Sequence, residues 1–223
     1  MNVTLCSAFR NATPFLANYF NQVNALDYEL HKRNDRLQFV WGEGDSTDGT
    51  LKMLEGAKFR FRATVVDCTH DGEAFGSIEH PTRFQQLAHV GNCIWQAIPA
   101  DADAVVYIES DLLWQPATII GLLDALIAYP AVCPMVMDSL LSFYDVWAYR
   151  RNGQRFTKHP PYHPDIDGDR MLKLDSAGSC MAIRGQLAQR LSFPADCFVG
   201  FCRELYRLGG ELYLDPSLTV FHP

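Results

Sequence analysis

The sequence has no CxxC pair and no compact, even set of cysteines. Its seven cysteines (Cys6, Cys68, Cys93, Cys133, Cys180, Cys197 and Cys202) are odd in number and widely scattered, which argues against a disulfide framework or a zinc site. Cys6, Cys93 and Cys133 lie in apolar runs, where a free thiol packs as a small hydrophobe. The expected compartment is therefore a reducing cytosol. The opening residues, MNVTLCSAFRN, lack a basic stretch followed by an apolar one, so no signal peptide is read. A long unbroken apolar run is missing too. The most apolar stretch, residues 119–137, is interrupted by Asp124, Tyr129, Pro130 and Pro134, which excludes a spanning helix. The expectation is a soluble, cytoplasmic protein with no membrane partner. Basic charge is also in short supply. A net charge of -7 disfavours general nucleic-acid binding, which runs on basic surface, but leaves room for a local basic groove. Repeats, low-complexity tracts and charged linkers are absent.

What is present is an ordinary globular composition, 48% hydrophobic and 20% charged over 223 residues, enough chain for one well-buried domain. Apolar runs at residues 3–9, 37–41, 63–68, 104–108 and 131–136 read as strands. Helical spacing recurs between them, over a segment opened by Thr13-Pro14, near 51–54, over 82–98 and over 116–128. Any of Ser46, Thr47 or Asp48 is placed to cap the second helix. This alternation predicts an α/β fold with a mostly parallel central sheet and helices on both faces, and ligands then bind beyond the carboxyl ends of the strands. The later part predicts a strand near 179–183, helices near 185–191 and 200–208, and a last strand near 211–213.

Three polar clusters fall at such strand ends. In Val105-Val106-Tyr107-Ile108-Glu109-Ser110-Asp111 a buried strand runs into two carboxylates one residue apart. Alternation puts both on one side, roughly 6–7 Å apart along the strand. Hard oxygen ligands of this kind suit a divalent cation, Mn²⁺ or Mg²⁺, that bridges two phosphates; two solvated acids at a strand end are the plain alternative. Second, the loop Glu43-Gly44-Asp45-Ser46-Thr47-Asp48-Gly49-Thr50 offers acids to a uracil imide or a ribose hydroxyl, unless it is only a turn before a capped helix. Third, the segment Thr219-Val220-Phe221-His222-Pro223 closes an apolar strand with an imidazole, a potential third metal ligand or a surface residue.

In this order the pieces resemble the GT-A glycosyltransferases, both the large family 2 and the fungal mannan-polymerase family. STDGT is similar to their second-strand loop, ESD to their DxD motif, VFHP to their closing histidine, and ATPFLANYFNQVNAL to their first helix. LDSAGSCMAIRGQLAQRLSFP is similar to the mannan-polymerase DGxGG segment. The resemblance covers nearly the whole chain. It implies a single GT-A domain over residues 1–223, with a nucleotide-sugar half (1–138) and an acceptor half (139–223). It implies transfer of a sugar from a nucleotide diphosphate sugar, a UDP-sugar in the first instance. Asp111 would bind the metal, His222 would complete the site, and Glu109 would bind the metal, the ribose or a water on the metal. Ser7, Phe9, Arg10 and Ser110 would line the nucleotide pocket with Asp45, Glu43 would read the base and Arg83 would reach the diphosphate. One departure stands out. Where family 2 carries a Glu-Asp pair before its penultimate helix, this chain has Cys197 and Phe198. Asp196, one residue away, and Asp175 are the remaining candidates for the catalytic carboxylate.

The acceptor is addressed by a segment in which Tyr144, Trp147, Tyr149, Arg150, Arg151, Arg155, Phe156, Lys158, His159, Tyr162 and His163 interleave aromatic and basic groups, with Asp145 the sole acid from 144 to 163. Trp147, Tyr149, Arg150 and Arg151 lead the candidates. Aromatics stack on sugar faces or on bases, and arginines bind phosphate. Two acceptors follow: a carbohydrate or small molecule, or a hydroxymethylated base flipped out of DNA, as in phage-type DNA modification. Two other functions stay open, a sugar-phosphate nucleotidyltransferase and a non-catalytic module on a degenerate scaffold. Against the first, Ser7-Ala8-Phe9-Arg10-Asn11 has no glycine to cradle a triphosphate.

Overall fold

Strand-forming residues at the start of the chain build β1 (Asn2–Phe9), and α1 (Thr13–Lys32) follows with proline in its first turn. The computed structural model describes residues 1–223. Along α1 the side chains of Leu16, Tyr19, Val23, Leu26 and Leu30 recur every three or four residues and are buried, the signature of a helix lying on a core. Then come β2 (Arg36–Glu43), α2 (Thr50–Gly56), β3 (Arg62–Asp67), α3 (Pro81–Gln96), β4 (Ala104–Ile108), α4 (Pro116–Ala125) and β5 (Ala131–Asp138). A two-residue hairpin, β6 (Arg150–Arg151) and β7 (Gln154–Arg155), turns through Asn152 and Gly153, both at positive φ, as such a tight turn requires. The chain closes with β8 (Leu172–Leu174), β9 (Cys180–Arg184), α5 (Gly185–Ala188), α6 (Cys197–Arg207) and β10 (Leu212–His222).

Eight strands form one sheet in the order β3-β2-β1-β4-β9-β5-β10-β8. Strands β3, β2, β1 and β4 are mutually parallel, as are β5 and β10, while β9 lies antiparallel between β4 and β5. The mostly parallel sheet anticipated from the sequence is therefore present, with β8 and β9 reversed. Helix α1 packs with α2 and α4, and α3 packs with α6. Alternation along β2 shows that these are opposite faces. Trp41 donates its indole N–H to the Tyr19 hydroxyl of α1 at 3.1 Å, while a Cβ on the next residue, Gly42, would strike Ile94 of α3 at 2.5 Å. One continuous core of 59 buried residues runs through the molecule, so residues 139–223 supply central strands as well as the acceptor side.

Several boundaries differ from the sequence reading. The last strand was expected to stop near residue 213 but continues to His222, its register shifting between Asp215 and Thr219. Pro216 and Ser217 break the apolar pattern there, and a bulge absorbs them. Helix α6 begins at Cys197, three residues before the expected start, and α5 is a single turn. The cap of α2 is Gly49, at φ +90°, rather than Ser46, Thr47 or Asp48.

The 46–50 loop ties two helices together. Asp48 accepts from the backbone of Thr50 at 3.1 Å and of Thr13 at 3.0 Å, and Ser46 accepts from the backbone of Asn11 at 2.9 Å. Donated bonds, the Thr50 hydroxyl foremost, lower the Asp48 pKa from 3.8 to about 2. Its stabilising effect is therefore complete above the unfolded value and lost as pH falls toward the folded one. Replacing Asp48 with Ala should lower the melting temperature at about pH 5 and above. That deficit should shrink steadily below about pH 4; a deficit independent of pH would show that the carboxylate is not the clamp.

Candidate active site

Because β1, β2, β4, β5 and β10 run in parallel, their carboxyl ends share one edge of the sheet, and the reversed β9 begins there. A cleft of about 680 Å³ opens at that edge. Its floor comes from the loop after β4, where Glu109, Ser110 and Asp111 all line the cavity. The far wall comes from residues 143–148, and the near wall from the first half of α3 with the segment before it.

The Asp111 carboxylate and the His222 imidazole meet here. His222 Nε2 stands 3.3 Å from Asp111 Oδ2, although 110 intervening residues separate the two in sequence. The pairing is carried by backbone: Leu113 and Phe221 form an antiparallel bridge, with N···O distances of 2.7 and 2.8 Å. Tyr144 lies flat on the His222 ring, centroids 3.8 Å apart at 11°. The contact with Asp111 raises the His222 pKa above 6.5, with partial burial opposing it. Glu109 is more strongly perturbed. Desolvation first, then the charges of Asp111 and Asp145, push its pKa up to about 8. Asp145 is raised as well, chiefly by desolvation. The site thus crowds carboxylates with little cationic relief, which is the electrostatic setting a divalent cation satisfies. An imidazole nitrogen beside a carboxylate oxygen is a suitable pair of protein ligands, and phosphate oxygens would complete the shell. No three His, Cys, Asp or Glu side chains cluster closely enough to hold an ion by themselves.

The structure sorts the other sequence candidates. Phe9, Arg10 and Arg83 line the cleft with Glu109 and Ser110. The Arg10 guanidinium also holds the Gly72 carbonyl at 2.9 Å, fixing the adjoining wall. Glu43, at the end of β2, is buried, and its Oε1 has no partner. Ser7 faces the opposite way, buried in the core, where its hydroxyl accepts from Tyr19 at 2.9 Å. Asp45 is committed to the 70–71 turn, accepting from the backbone of His70 and Asp71 at 3.3 and 3.1 Å. None of Ser7, Glu43 and Asp45 is among the residues that line the cleft, although Gly44, next to Glu43, is.

The acceptor candidates divide as well. Trp147 lines the cleft and stacks on Phe84, centroids 4.3 Å apart at 20°. Tyr149 is a core residue, fully buried, donating to the Pro134 carbonyl at 2.7 Å. Arg150 and Arg151 lie on the hairpin outside the cleft. Arg150 bonds the Trp147 carbonyl at 3.3 Å, and Arg151 pairs with Asp165. Tyr149 is spent on core packing and Arg151, in the two-residue strand that follows, on ion pairing, which residue type alone does not reveal.

Both proposed catalytic carboxylates also fall outside. Asp175 accepts from the Gly153 backbone at 2.7 Å and Asp196 pairs with Arg203. A lining carboxylate that the sequence reading did not assign to catalysis is Asp145. Its signal was its isolation as the single acid in a basic, aromatic segment. Ser179 and Phe84 were not singled out either; nothing in their local sequence marks them.

No family's sequence profile matches the chain, and no curated protein matches it in sequence. Solved structures do match. Staphylococcus aureus TarS, residues 1–349, in complex with UDP-GlcNAc superposes with a TM-score of 0.62 at 11% identity, covering 99% of this chain and 58% of that one. The mannosyltransferase PcManGT from Pyrobaculum calidifontis, in complex with GDP-Man and Mn²⁺, gives 0.60 at 18% identity, covering 98% and 56%. The chain has the GT-A fold. It spans less than two thirds of the length of these relatives in fold.

The Asp111–His222 contact has a direct readout. In metal-free protein, an NMR titration should place the His222 imidazole above its ordinary value, and Asp111→Asn should bring it down. An imidazole indifferent to that substitution would mean that the two side chains do not meet.

Proposed function

We propose that this GT-A domain is a metal-dependent glycosyltransferase that takes a sugar from a nucleotide diphosphate sugar, with a UDP-sugar as the leading donor. The observation that carries the reading is the 3.3 Å approach of His222 to Asp111 at the carboxyl edge of the sheet. These two residues would hold Mn²⁺ or Mg²⁺, which supplies Lewis-acid neutralisation of the departing diphosphate. The rest of the reaction belongs to the chain. Glu43, with a buried and unpartnered oxygen, is suited to accept from a base imide or a ribose hydroxyl at the end of β2. Arg83, on the near wall, donates to the Ile78 carbonyl at 3.3 Å but is in no ion pair, and it fits the diphosphate. Glu109, crowded by Asp111 and Asp145, is proposed to meet the ribose or the cation. Solved structures of similar fold support the donor class, since TarS is seen with UDP-GlcNAc and PcManGT with GDP-Man and Mn²⁺.

For the acceptor, the favoured class is a carbohydrate or small molecule with a flat, partly apolar face. The Phe84–Trp147 stack gives such a face a platform inside the cleft. Arg150, Arg151 and Arg155 engage Trp147, Asp165 and Glu79 rather than forming a free cationic row for a nucleic-acid backbone, so the hydroxymethylated-DNA reading takes second place.

A panel of UDP- and GDP-sugars, with and without Mn²⁺, tests the assignment. Donor consumption should require the cation, and UDP with Mn²⁺ should raise the melting temperature. Asp111→Ala should lower turnover more than about a hundredfold while the variant stays folded. Pyrophosphate release from a nucleoside triphosphate and a sugar 1-phosphate would instead favour a nucleotidyltransferase. No response to any donor or to UDP with Mn²⁺ would favour the non-catalytic module.

A further inference from the structure

Resting on the transferase reading above, we propose that Asp145 is the catalytic base, the carboxylate that takes the proton from the acceptor hydroxyl. Five acids line the cleft: Glu79, Glu109, Asp111, Asp138 and Asp145. Glu79 is held by Arg155 through two bonds of 2.7 and 3.0 Å. Asp138 caps the turn after β5, accepting from the backbone of Leu140 and Ser142 at 2.9 and 2.8 Å. Glu109 and Asp111 face the proposed cation. Asp145 is tied to neither an ion pair nor the proposed cation; its two bonds, from Ala148 and Ser179, orient it, and it sits on the wall that carries the acceptor platform.

Its placement is built rather than incidental. The preceding residue, Tyr144, is stacked on His222, which sets residue 145 beside the proposed metal site. Two residues on, Trp147 stacks with Phe84, so the carboxylate lies between the donor end and the acceptor end of the cleft. Oδ1 accepts from the Ala148 backbone at 3.0 Å and Oδ2 from the Ser179 hydroxyl at 2.9 Å, which fixes the group while leaving a lone pair on each oxygen. Ser179 delivers its hydroxyl from a left-handed backbone, φ +51°, a conformation a serine keeps only where the surroundings impose it. The residue before it, Gly178, passes so close that a Cβ there would lie 2.6 Å from Oδ2. A glycine and a strained serine therefore converge on one carboxylate.

The step balances without further reactants. The acceptor oxygen forms its bond to the anomeric carbon as the bond from that carbon to the diphosphate oxygen breaks. The bonding pair leaves with the diphosphate, and the acceptor proton passes to Asp145. A single displacement of this kind inverts the anomeric configuration.

Water serves as acceptor for the test, so the natural acceptor need not be known. Asp145→Asn keeps the shape and the bond from Ala148. It should cut donor hydrolysis at least about a hundredfold, as loss of a general base does, with the thermal shift by UDP and Mn²⁺ retained. Asp175→Asn and Asp196→Asn should hydrolyse donor at the wild-type rate. In Asp145→Ala, azide, which has no proton to lose, should restore turnover and yield the glycosyl azide, a rescue that a merely structural residue would not permit. NMR of the wild-type product should show the inverted anomer first. Near-normal hydrolysis in Asp145→Asn, failure of azide, or a retained anomer would each overturn the assignment. A wild-type protein that consumes no donor would instead remove the transferase reading on which it rests.

Discussion

The constraint on which this molecule depends is that parallel strands deliver their carboxyl ends to one edge of a sheet. Residues 111 and 222 meet because β4 and β10 end on that edge, and the Leu113–Phe221 bridge then locks the two trailing segments together. The core beneath makes this possible. Strand β4 is buried throughout, so its register is fixed by packing on both faces. Its two trailing carboxylates can therefore be placed with little freedom, and the precision of the site derives from the rigidity of the sheet.

The cleft is electrostatically unfinished. Glu109 and Asp145 lie where burial already penalises charge, and Asp111 adds a like charge beside Glu109; Ser179, the Ala148 backbone, Arg83 and His222 offset this only in part. Protonation of Glu109, whose pKa is raised to about 8, relieves that repulsion in the absence of an ion; the proposed cation, with the arginine of α3, would relieve it with the carboxylates ionised. The aromatic half of the cleft has the opposite character. Phe84, Trp147 and Tyr144 make a wall without charge. One cavity thus has a polar, charged end and a flat, apolar end.

Much of the fold was legible in the sequence because strand and helix periods alternate cleanly from residue 1 to 138. The ESD motif and the closing histidine were legible for the same reason, since both follow apolar runs. Legibility failed where function and structure use the same residue types. Asp48 looked like a ligand-facing acid and clamps two helix ends; Tyr149 looked like a binding aromatic and fills the core. Ser7 lies on a strand that ends at the cleft, yet it points into the α1 side, because a side chain's face depends on register rather than on nearness to the strand end. Asp196 stands beside the missing pair and Asp175 is the other remaining candidate, and each has a partner, Arg203 and the Gly153 backbone, that sequence position does not disclose. Asp145 stands out in the sequence as the one acid of its segment, but its place at the cleft follows from the fold, which pairs Phe143 with Met137 of β5.

Strand β9 sits between β4 and β5, yet it is synthesised more than forty residues after β5 is complete. As the chain emerges from the ribosome, β4 and β5 cannot pair with each other in their final places. A gap one strand wide must be held between them until residues 180–184 arrive. During that interval two apolar strands present open edges, the condition under which chains associate wrongly. The same insertion means that no truncation after β5 leaves a closed sheet. Residues 1–138 are therefore not a separable module, and fusions or splits designed at residue 138 would produce two fragments, each missing the other's centre.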